Sequence, residues 1–255
     1  ILQRAIDGSW HNSQLFLILC GSSMSFMEKQ VLGHKSPLYG RRTGQLKLLP
    51  LPYYEGVRFF PCWTPEEQLI GYGICGGIPK YLELFAQYHS LQKAILGEFL
   101  LPSGHLIEEP ENLMQQELRE PAVYNSVLTA IAKGATKLNE ISQVVGLEAS
   151  KLGFYLNNLK DLGITAQEKP VGKGGSRRGG YKLNDAMFSF WFRFMPECHN
   201  LIAMGAAERA YEARIAPYLS EYFGHIFETV CMQYLKLLVA RGDIQEVYAE
   251  YGRWW

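Results

Sequence analysis

The chain has 255 residues, of which 47% are hydrophobic and 20% charged, a composition typical of globular rather than disordered proteins. Its 25 basic and 25 acidic residues give zero formal net charge, so any nucleic-acid surface must be a local patch. The five cysteines are scattered without metal-ligand spacing, and their odd number argues against a secreted disulfide scaffold and favours the cytoplasm. No signal peptide is visible, and no apolar run approaches the roughly 20 residues that span a bilayer, so we expect no membrane partner.

An apolar run at residues 15–20 is followed directly by Gly-Ser-Ser. A short, unbroken run of this kind predicts a strand buried on both faces of a parallel sheet. Ser22 or Ser23 then lies at the carboxyl end of that strand, where α/β proteins bind their ligands. The alternative is that one of the two serines caps a helix over 24–31. Residues 45–49 alternate well enough to predict a second strand.

The next segment is helical and has a strong start signal. Thr64 is a predicted N-cap, a proline follows at the first helical position, and Glu67 completes a capping box. Further on come four glycines and a proline that we expect to break this helix: Gly71, Gly73, Gly76, Gly77 and Pro79.

A helix-turn-helix pattern occupies the middle of the chain. A helix over 122–132 is followed by a short helix that Thr136 is expected to cap, and Gly146 supplies a turn. The helix after the turn carries leucines at helical spacing: Leu152, Leu156, Leu159 and Leu162. Residues 164–183 have the form of a β-hairpin with a glycine-rich tip. Helices and hairpin together predict a winged helix.

The predicted hairpin is strongly cationic. Its basic residues are Lys169, Lys173, Arg177, Arg178 and Lys182, and no acidic residue lies among them. Attached to a helix-turn-helix, such a wing is expected to contact DNA phosphates without reading sequence. The alternative is a solvated, mobile basic loop.

The second helix of this pattern has polar residues on its outward face. Ser150, Lys151, Asn157 and Asn158 are placed to reach a DNA groove. Phe154 lies among them and indicates a protein-docking surface instead. The sequence leaves both kinds of partner open.

The C-terminal segment is predicted to be helical over 220–240. We expect this helix to bury an apolar stripe, with Glu228 beside it; the stripe comprises Phe223, Phe227, Val230, Cys231, Tyr234, Leu237 and Leu238. Residues 244–251 alternate as a strand.

Several phrases of the chain resemble one family: LILCGSSMSFMEKQVLGHKSPLYGRRTGQLKLLPL, GGIPKYL, YKLNDAMFSFWFRFMPE, FGHIFETVC and YGRWW. They are similar to archaeal-type P-loop ATPases of the AAA+/STAND superfamily, in which a winged helix and a restriction-endonuclease-like domain follow the ATPase. The resemblance implies a mixed α/β and α fold, the remnant of a parallel-sheet ATPase core followed by further domains. The implied domains are the end of that core (1–60), a helical lid (61–118), the winged helix (119–183) and an incomplete α/β endonuclease-like domain (184–255).

The resemblance also implies roles for individual residues. Ser22, or failing that Ser23, takes the place of the sensor that orients water beside the γ-phosphate. Arg41 takes the place of a phosphate-sensing arginine. The alternative, for Arg41 and for Arg42 alike, is an ion pair with a surface carboxylate. Glu228 takes the place of a magnesium-binding acid. The alternative is that Glu228 only accepts a hydrogen bond at the edge of a helical core.

The chain contains no Walker A glycine loop, starts without Met and stops at two tryptophans, so it is expected to be part of a longer protein. ATP and Mg²⁺ are the cofactors implied for the intact protein, and no cofactor or metal is expected on this chain alone. The expected partners are DNA or a protein, and an oligomer is left open. The alternative function is a non-enzymatic winged-helix module that binds DNA or docks a protein.

Overall fold

A computed structural model of the chain describes residues 1–21, 27, 31–168 and 179–245. Its contacts divide the chain into two units, residues 1–49 and residues 50–255. The predicted helix over 24–31 lies almost wholly outside the described residues, as do Ser22 and Ser23.

The first unit contains helix α1 (Leu2–Asp7). Residues 15–20 are neither helix nor strand, and Phe16 and Ile18 expose 83% and 71% of their surface. The predicted buried strand is therefore wrong, as is the strand over 45–49, which is also exposed. A central strand needs neighbouring strands to pair its backbone and helices to cover its faces. The described part of this unit contains no strand, so no parallel-sheet core is found there.

The second unit begins with α2 (Tyr53–Gly56), a 3₁₀ turn (Val57–Phe59) and α3 (Pro65–Cys75). The capping box predicted for α3 is confirmed. The Glu67 backbone N–H donates to Thr64 Oγ1 at 3.3 Å, and the Thr64 N–H donates to Glu67 Oε2 at 3.1 Å. Both amides would otherwise lack a partner in the first helical turn.

The expected break is found at Gly76, whose φ of 64° ends α3, but the expectation is wrong for Gly71 and Gly73, which lie inside the helix. Both glycines allow close packing instead. A Cβ on Gly71 would lie 2.6 Å from Cζ3 of Trp63, and one on Gly73 would overlap the side chain of Ile226. Tertiary packing therefore outweighs the low helix propensity of glycine.

Helices α4 (Pro79–Ala86), α5 (Leu91–Ile95) with a π-helical turn (Leu96–Leu100), and α6 (Glu109–Glu117) follow. They enclose an aromatic core. Its rings include a stacked pair, Phe60 and Trp63, with centroids 4.4 Å apart, and Phe99, whose ring lies 4.9 Å from that of Phe190 further along the chain.

The middle of the unit has the element order expected from the sequence: α7 (Pro121–Ala132), α8 (Leu138–Val145), α9 (Ala149–Asp161), β1 (Thr165–Glu168) and β2 (Gly180–Leu183). The two strands are antiparallel, with Thr165 opposite Leu183. The cap of α8 differs from the expectation. The Glu140 carboxylate, rather than the Thr136 side chain, accepts the backbone N–H groups of Thr136 and Lys137, each at 3.0 Å. This places negative charge at the helix N-terminus, where the dipole favours it.

The chain continues through α10 (Ala186–Ala203), α11 (Ala207–Ala210), a π-helical turn (Tyr211–Ile215), a 3₁₀ turn (Ala216–Tyr218) and α12 (Leu219–Arg241). The described residues thus form an α-dominated protein with a small two-stranded antiparallel sheet.

The buried stripe predicted on α12 is largely wrong. Ile226 is the residue of this helix that is fully buried, whereas Phe227 and Tyr234 expose 51% and 58% of their surface. Helix α3 packs against one side of α12 and leaves the adjacent apolar side exposed. Most of the strand predicted over 244–251 lies outside the described residues.

Candidate nucleic-acid interface

The turn between α8 and α9 sets the direction of the second helix. Gly146 ends α8 with a φ of 74°, a left-handed conformation that costs little for glycine. The backbone N–H groups of Gly146 and Leu147 both donate to the carbonyl oxygen of Ser142, at 2.9 and 3.2 Å. This turn lets α9 cross α8 with its leucines inward.

Helix α9 has a buried and an exposed side. Leu152, Leu156 and Leu159 are buried against the neighbouring helices. On the opposite side Lys151 and Asn157 are exposed, and 62% of the Phe154 surface is accessible. Ser150 is exposed as well, so the structure presents one cation, one amide, one hydroxyl group and one aromatic ring on the face expected to meet a partner.

Asn158 is half-buried, and its amide is bonded within the protein. Its Nδ2 donates a hydrogen bond to the Tyr124 hydroxyl group at 2.7 Å, which ties α9 to α7. Beside it, the Tyr155 hydroxyl donates to the Glu120 carboxylate, and this hydrogen bond raises the pKa of Tyr155. These polar contacts orient α9 on α7.

The hairpin supplies a further candidate cation. Lys182 is opposite Ala166, and its Nζ lies 2.9 Å from Glu168 Oε1 on the neighbouring strand. A surface pair of this kind contributes little stability, so the Lys182 charge can be redirected at small cost. The other wing candidates, Lys169, Lys173, Arg177 and Arg178, lie outside the described residues.

Arg41, the phosphate-sensing candidate, binds a carboxylate within the first unit. Its Nε and Nη2 donate to the two carboxylate oxygens of Asp7 at 2.6 and 2.8 Å, and Nη1 donates to the Pro37 carbonyl at 3.0 Å. The hydrogen bond from Arg41 holds the pKa of Asp7 below its ordinary value. The guanidinium fork is thus engaged, while Arg42 is exposed.

Glu228, the candidate metal-binding acid, is exposed on α12. Within the ranges that the structure describes, no three His, Cys, Asp or Glu side chains are grouped so as to hold a metal ion. In the same ranges, no helix combines the length and apolar character needed to cross a membrane.

A buried carboxylate that the sequence interpretation missed lies at the π-helical turn. Glu98 exposes 3% of its side chain; its Oε1 accepts the Tyr88 hydroxyl at 2.9 Å, and its Oε2 lies 3.1 Å from both the backbone nitrogen and Nδ1 of His105. Burial, together with the Glu98 carboxylate, raises the pKa of Tyr88 to about 12. In the sequence, the sign that Glu98 is buried is its position as the single acid inside the apolar run AILGEFLL.

His105 is one of the residues that line a cavity of about 420 Å³ between the loop after the π-helical turn, the start of α6 and the end of α10. Glu108, Asn112 and Ile202 are also part of its wall. Because Glu98 holds Nδ1 of His105, the orientation of this exposed ring is fixed by a buried group.

Comparison with known proteins gives two matches. Residues 191–255 match the family model DUF234, described as archaea bacterial proteins of unknown function. Over 260 aligned residues the chain is 35% identical to an uncharacterised protein of Methanocaldococcus jannaschii, and the alignment covers 100% of this chain and 57% of that protein. No solved structure matches the chain. The chain therefore spans 57% of the length of this archaeal homologue, and the DUF234 match begins within α10 and includes α11 and α12.

Proposed function

We propose that this chain is the C-terminal portion of an ATP-dependent protein, and that α7, α8, α9 and the β1–β2 hairpin act as its DNA-binding winged helix. The observation that carries the proposal is the exposed outward face of α9 beside a hairpin whose connecting sequence has four cations and no acid. Helices packed in this order with an antiparallel hairpin are the elements of a winged helix.

In the proposed function α9 enters a groove of the DNA, and the tip of the β1–β2 hairpin, the wing, contacts the DNA backbone. Lys151 and Asn157 are placed to approach base edges or phosphates, since both are exposed on the same side of α9. Lys173, Arg177 and Arg178 would neutralise phosphates, a contribution that is insensitive to sequence and strongly sensitive to salt. Asn158 acts indirectly, because its amide holds α9 against Tyr124.

The ATP-dependent part of the proposal is supported by the resemblance given above. In the intact protein, ATP with Mg²⁺ would supply the phosphoryl group, Ser22 or Ser23 would orient water, and Arg41 would neutralise developing charge. Arg41 would first have to exchange its bonds to Asp7 for bonds to phosphate. A metal-dependent nuclease role for Glu228 would likewise need further acids from the longer protein.

Salt-dependent DNA binding tests the winged helix. Fluorescence anisotropy with a labelled duplex should show binding to unrelated sequences alike, weakening as salt rises. The double variant Arg177→Ala/Arg178→Ala should flatten the slope of log K against log salt by about 1.8, or 0.9 for each lost phosphate contact.

The matched control is Lys80→Ala/Lys93→Ala, which removes two exposed cations from α4 and α5. It should leave both affinity and salt slope unchanged. An unchanged slope in the Arg177/Arg178 variant, with binding intact, would exclude the wing from the DNA interface.

A second candidate function is protein docking, favoured by the exposed ring of Phe154 on α9. Exposed aromatic anchors are typical of protein interfaces. The two functions are separated by Lys151→Ala: groove binding predicts a several-fold loss of DNA affinity, whereas docking predicts none. Absence of DNA binding at low salt would favour the docking function.

A further inference from the structure

The cavity of about 420 Å³ beside His105 is formed by residues outside the α7–α9 region and the hairpin. A volume of this size is sufficient for a small organic ligand. Its wall combines three polar side chains, those of His105, Glu108 and Asn112, with the apolar residues Pro102, Ile107, Ile202 and Ala203. The apolar residues are aliphatic, so they suit a hydrocarbon stem rather than an aromatic ring.

The second ring nitrogen of His105 is a hydrogen-bond acceptor. Nδ1 lies 3.1 Å from Oε2 of Glu98, whose side chain is only 3% exposed. An ionised carboxylate accepts hydrogen bonds but donates none, so Nδ1 is the nitrogen that carries the proton. In the neutral ring Nε2 then has a free lone pair, and it can accept an N–H group from a ligand.

The charged side chain among these three is an acid without a partner. Within the described ranges, the Glu108 carboxylate forms no ion pair and no hydrogen bond, whereas that of Glu109 accepts the Tyr81 hydroxyl at 3.3 Å. Asn112 is one helical turn from Glu108, since its N–H donates to the Glu108 carbonyl at 2.9 Å. Residues 94–118 contain five acids and neither Lys nor Arg. The negative charge of this segment favours a positively charged ligand.

The two helix ends at the cavity favour a cation as well. Helix α10 ends at Ala203 and has no basic residue in its last turn. The C-terminal end of a helix carries partial negative charge, which a cation stabilises. At the start of α6, the first turn already contains Glu109 and Glu111, and Pro110 has no N–H. An anionic ligand would therefore meet carboxylates at that helix end.

We propose that this cavity binds a small organic cation, a primary ammonium group on a short aliphatic stem. Glu108 supplies the counter-ion, the Asn112 carbonyl oxygen and Nε2 of His105 accept N–H groups, and the aliphatic wall contacts the stem. An ammonium group has three donors and no acceptor, so it fits a set of acceptors of this kind. A free amine and a lysine side chain of a partner protein share this chemistry.

NMR titration of the chain with n-butylammonium chloride tests the proposal at about pH 8, where an alkylammonium ion stays charged. The ring resonances of His105, identified by their absence from His105→Gln, should shift and saturate. The expected Kd is on the order of millimolar, because the probe has only about five non-hydrogen atoms.

Glu108→Gln should weaken this binding roughly fivefold or more, because the ammonium group loses its counter-ion. Glu108 is exposed, so the circular dichroism of the variant should match that of the wild type. The matched control Glu83→Gln removes an exposed acid from α4 and should leave the Kd unchanged.

Uncharged and anionic probes test the sign of the charge. n-Butanol and butyrate keep a similar stem but replace the ammonium group by a hydroxyl or a carboxylate, and both should bind roughly fivefold more weakly or worse. Butyrate binding as tight as that of n-butylammonium would overturn the proposal. So would a Kd that Glu108→Gln leaves unchanged, or His105 shifts that do not saturate by about 50 mM probe.

The source of the cation is decided by Nα-acetyl-lysine methylamide, in which the same ammonium group and stem extend from a short stretch of peptide backbone. A cavity that takes a lysine side chain of a partner protein should bind this probe at least as tightly as n-butylammonium. Weaker binding of this probe assigns the cavity to a free amine. Either result supports an organic cation and identifies where it comes from.

Discussion

The carboxylate of Glu98 accepts a hydrogen bond from the hydroxyl group of Tyr88 at 2.9 Å, inside a part of the core from which water is almost excluded. The same carboxylate accepts the backbone N–H of His105 at 3.1 Å and so ties the loop after the π-helical turn to the core. A buried acid is retained only when its oxygens are bonded, and here both are.

Replacing Glu98 by Ala should lower the free energy of unfolding by about 2–4 kcal/mol, because the Tyr88 hydroxyl and the His105 N–H lose their acceptor. Urea unfolding followed by circular dichroism measures the loss. The control Glu83→Ala removes an exposed acid from α4 and should change stability by less than about 0.5 kcal/mol. Equal effects of the two substitutions would contradict a structural role for Glu98.

Gly73→Ala should destabilise the protein by about 1–2 kcal/mol, since the added methyl group overlaps Ile226 where α3 and α12 meet and the gain in helix propensity offsets only part of this cost. Gly153→Ala is the matched control within α9, where no atom lies within 4 Å of the added carbon. It should stabilise by about 0.5–1 kcal/mol. Thermal unfolding of the two variants should therefore shift in opposite directions, and shifts of the same sign would argue against the close helix contact.

Cys75 and Cys198 should resist alkylation in the native protein. Burial raises the pKa of the Cys75 thiol, and burial raises that of Cys198 to about 11, so little thiolate is present at pH 8. Mass spectrometry after iodoacetamide treatment should show modification of the exposed Cys62, while both buried thiols react only in urea. Labelling of Cys75 as fast as Cys62 would contradict its burial.

The raised pKa of Cys198 also predicts a direction for stability against pH. The unfolded thiol begins to lose its proton near the ordinary value of 9.0, whereas the folded thiol keeps its proton up to about 11. The contribution of the Cys198 thiol to the free energy of unfolding is therefore complete below pH 9 and falls as the pH rises from 9 to about 11. Cys198→Ala should make the unfolding free energy less steep between pH 9 and 11, and an unchanged slope would show that Cys198 does not contribute.

Asn158→Ala and Lys151→Ala should differ in what they change. Asn158→Ala removes the hydrogen bond to Tyr124 and should lower the free energy of unfolding by about 1 kcal/mol. It should lower DNA affinity only if loss of this bond shifts α9. The second removes an exposed cation and should weaken DNA binding without changing the unfolding midpoint. Paired urea titrations and anisotropy measurements check both, and an unstable Lys151 variant would contradict the assignment.

Much of the second unit could be predicted from sequence, because its signals are local. Thr64 and Glu67 lie three residues apart, and the bonds between them form within one helical turn whatever surrounds them. The order of α7, α8, α9 and the hairpin likewise follows from apolar periodicity and from Gly146.

The candidate site was only partly predictable for the same reason. Helical periodicity correctly predicted that Lys151 is exposed. It did not predict that the Asn158 amide donates a hydrogen bond to Tyr124 on α7. Glu98 was missed because its partners, Tyr88 and His105, become neighbours only when the chain folds.

What the sequence by itself determined was the identity of several helices, the capping box that starts α3 and the glycine that ends α8, since propensity and capping act over four or five residues. Only the tertiary structure decided that residues 15–20 are exposed outside any strand, that α3 continues through Gly71 and Gly73, and that α12 leaves an apolar side uncovered. Each of these depends on which other element lies alongside. A strand exists only with a neighbour to share its hydrogen bonds, and an apolar stripe is buried only as far as its packing partner extends.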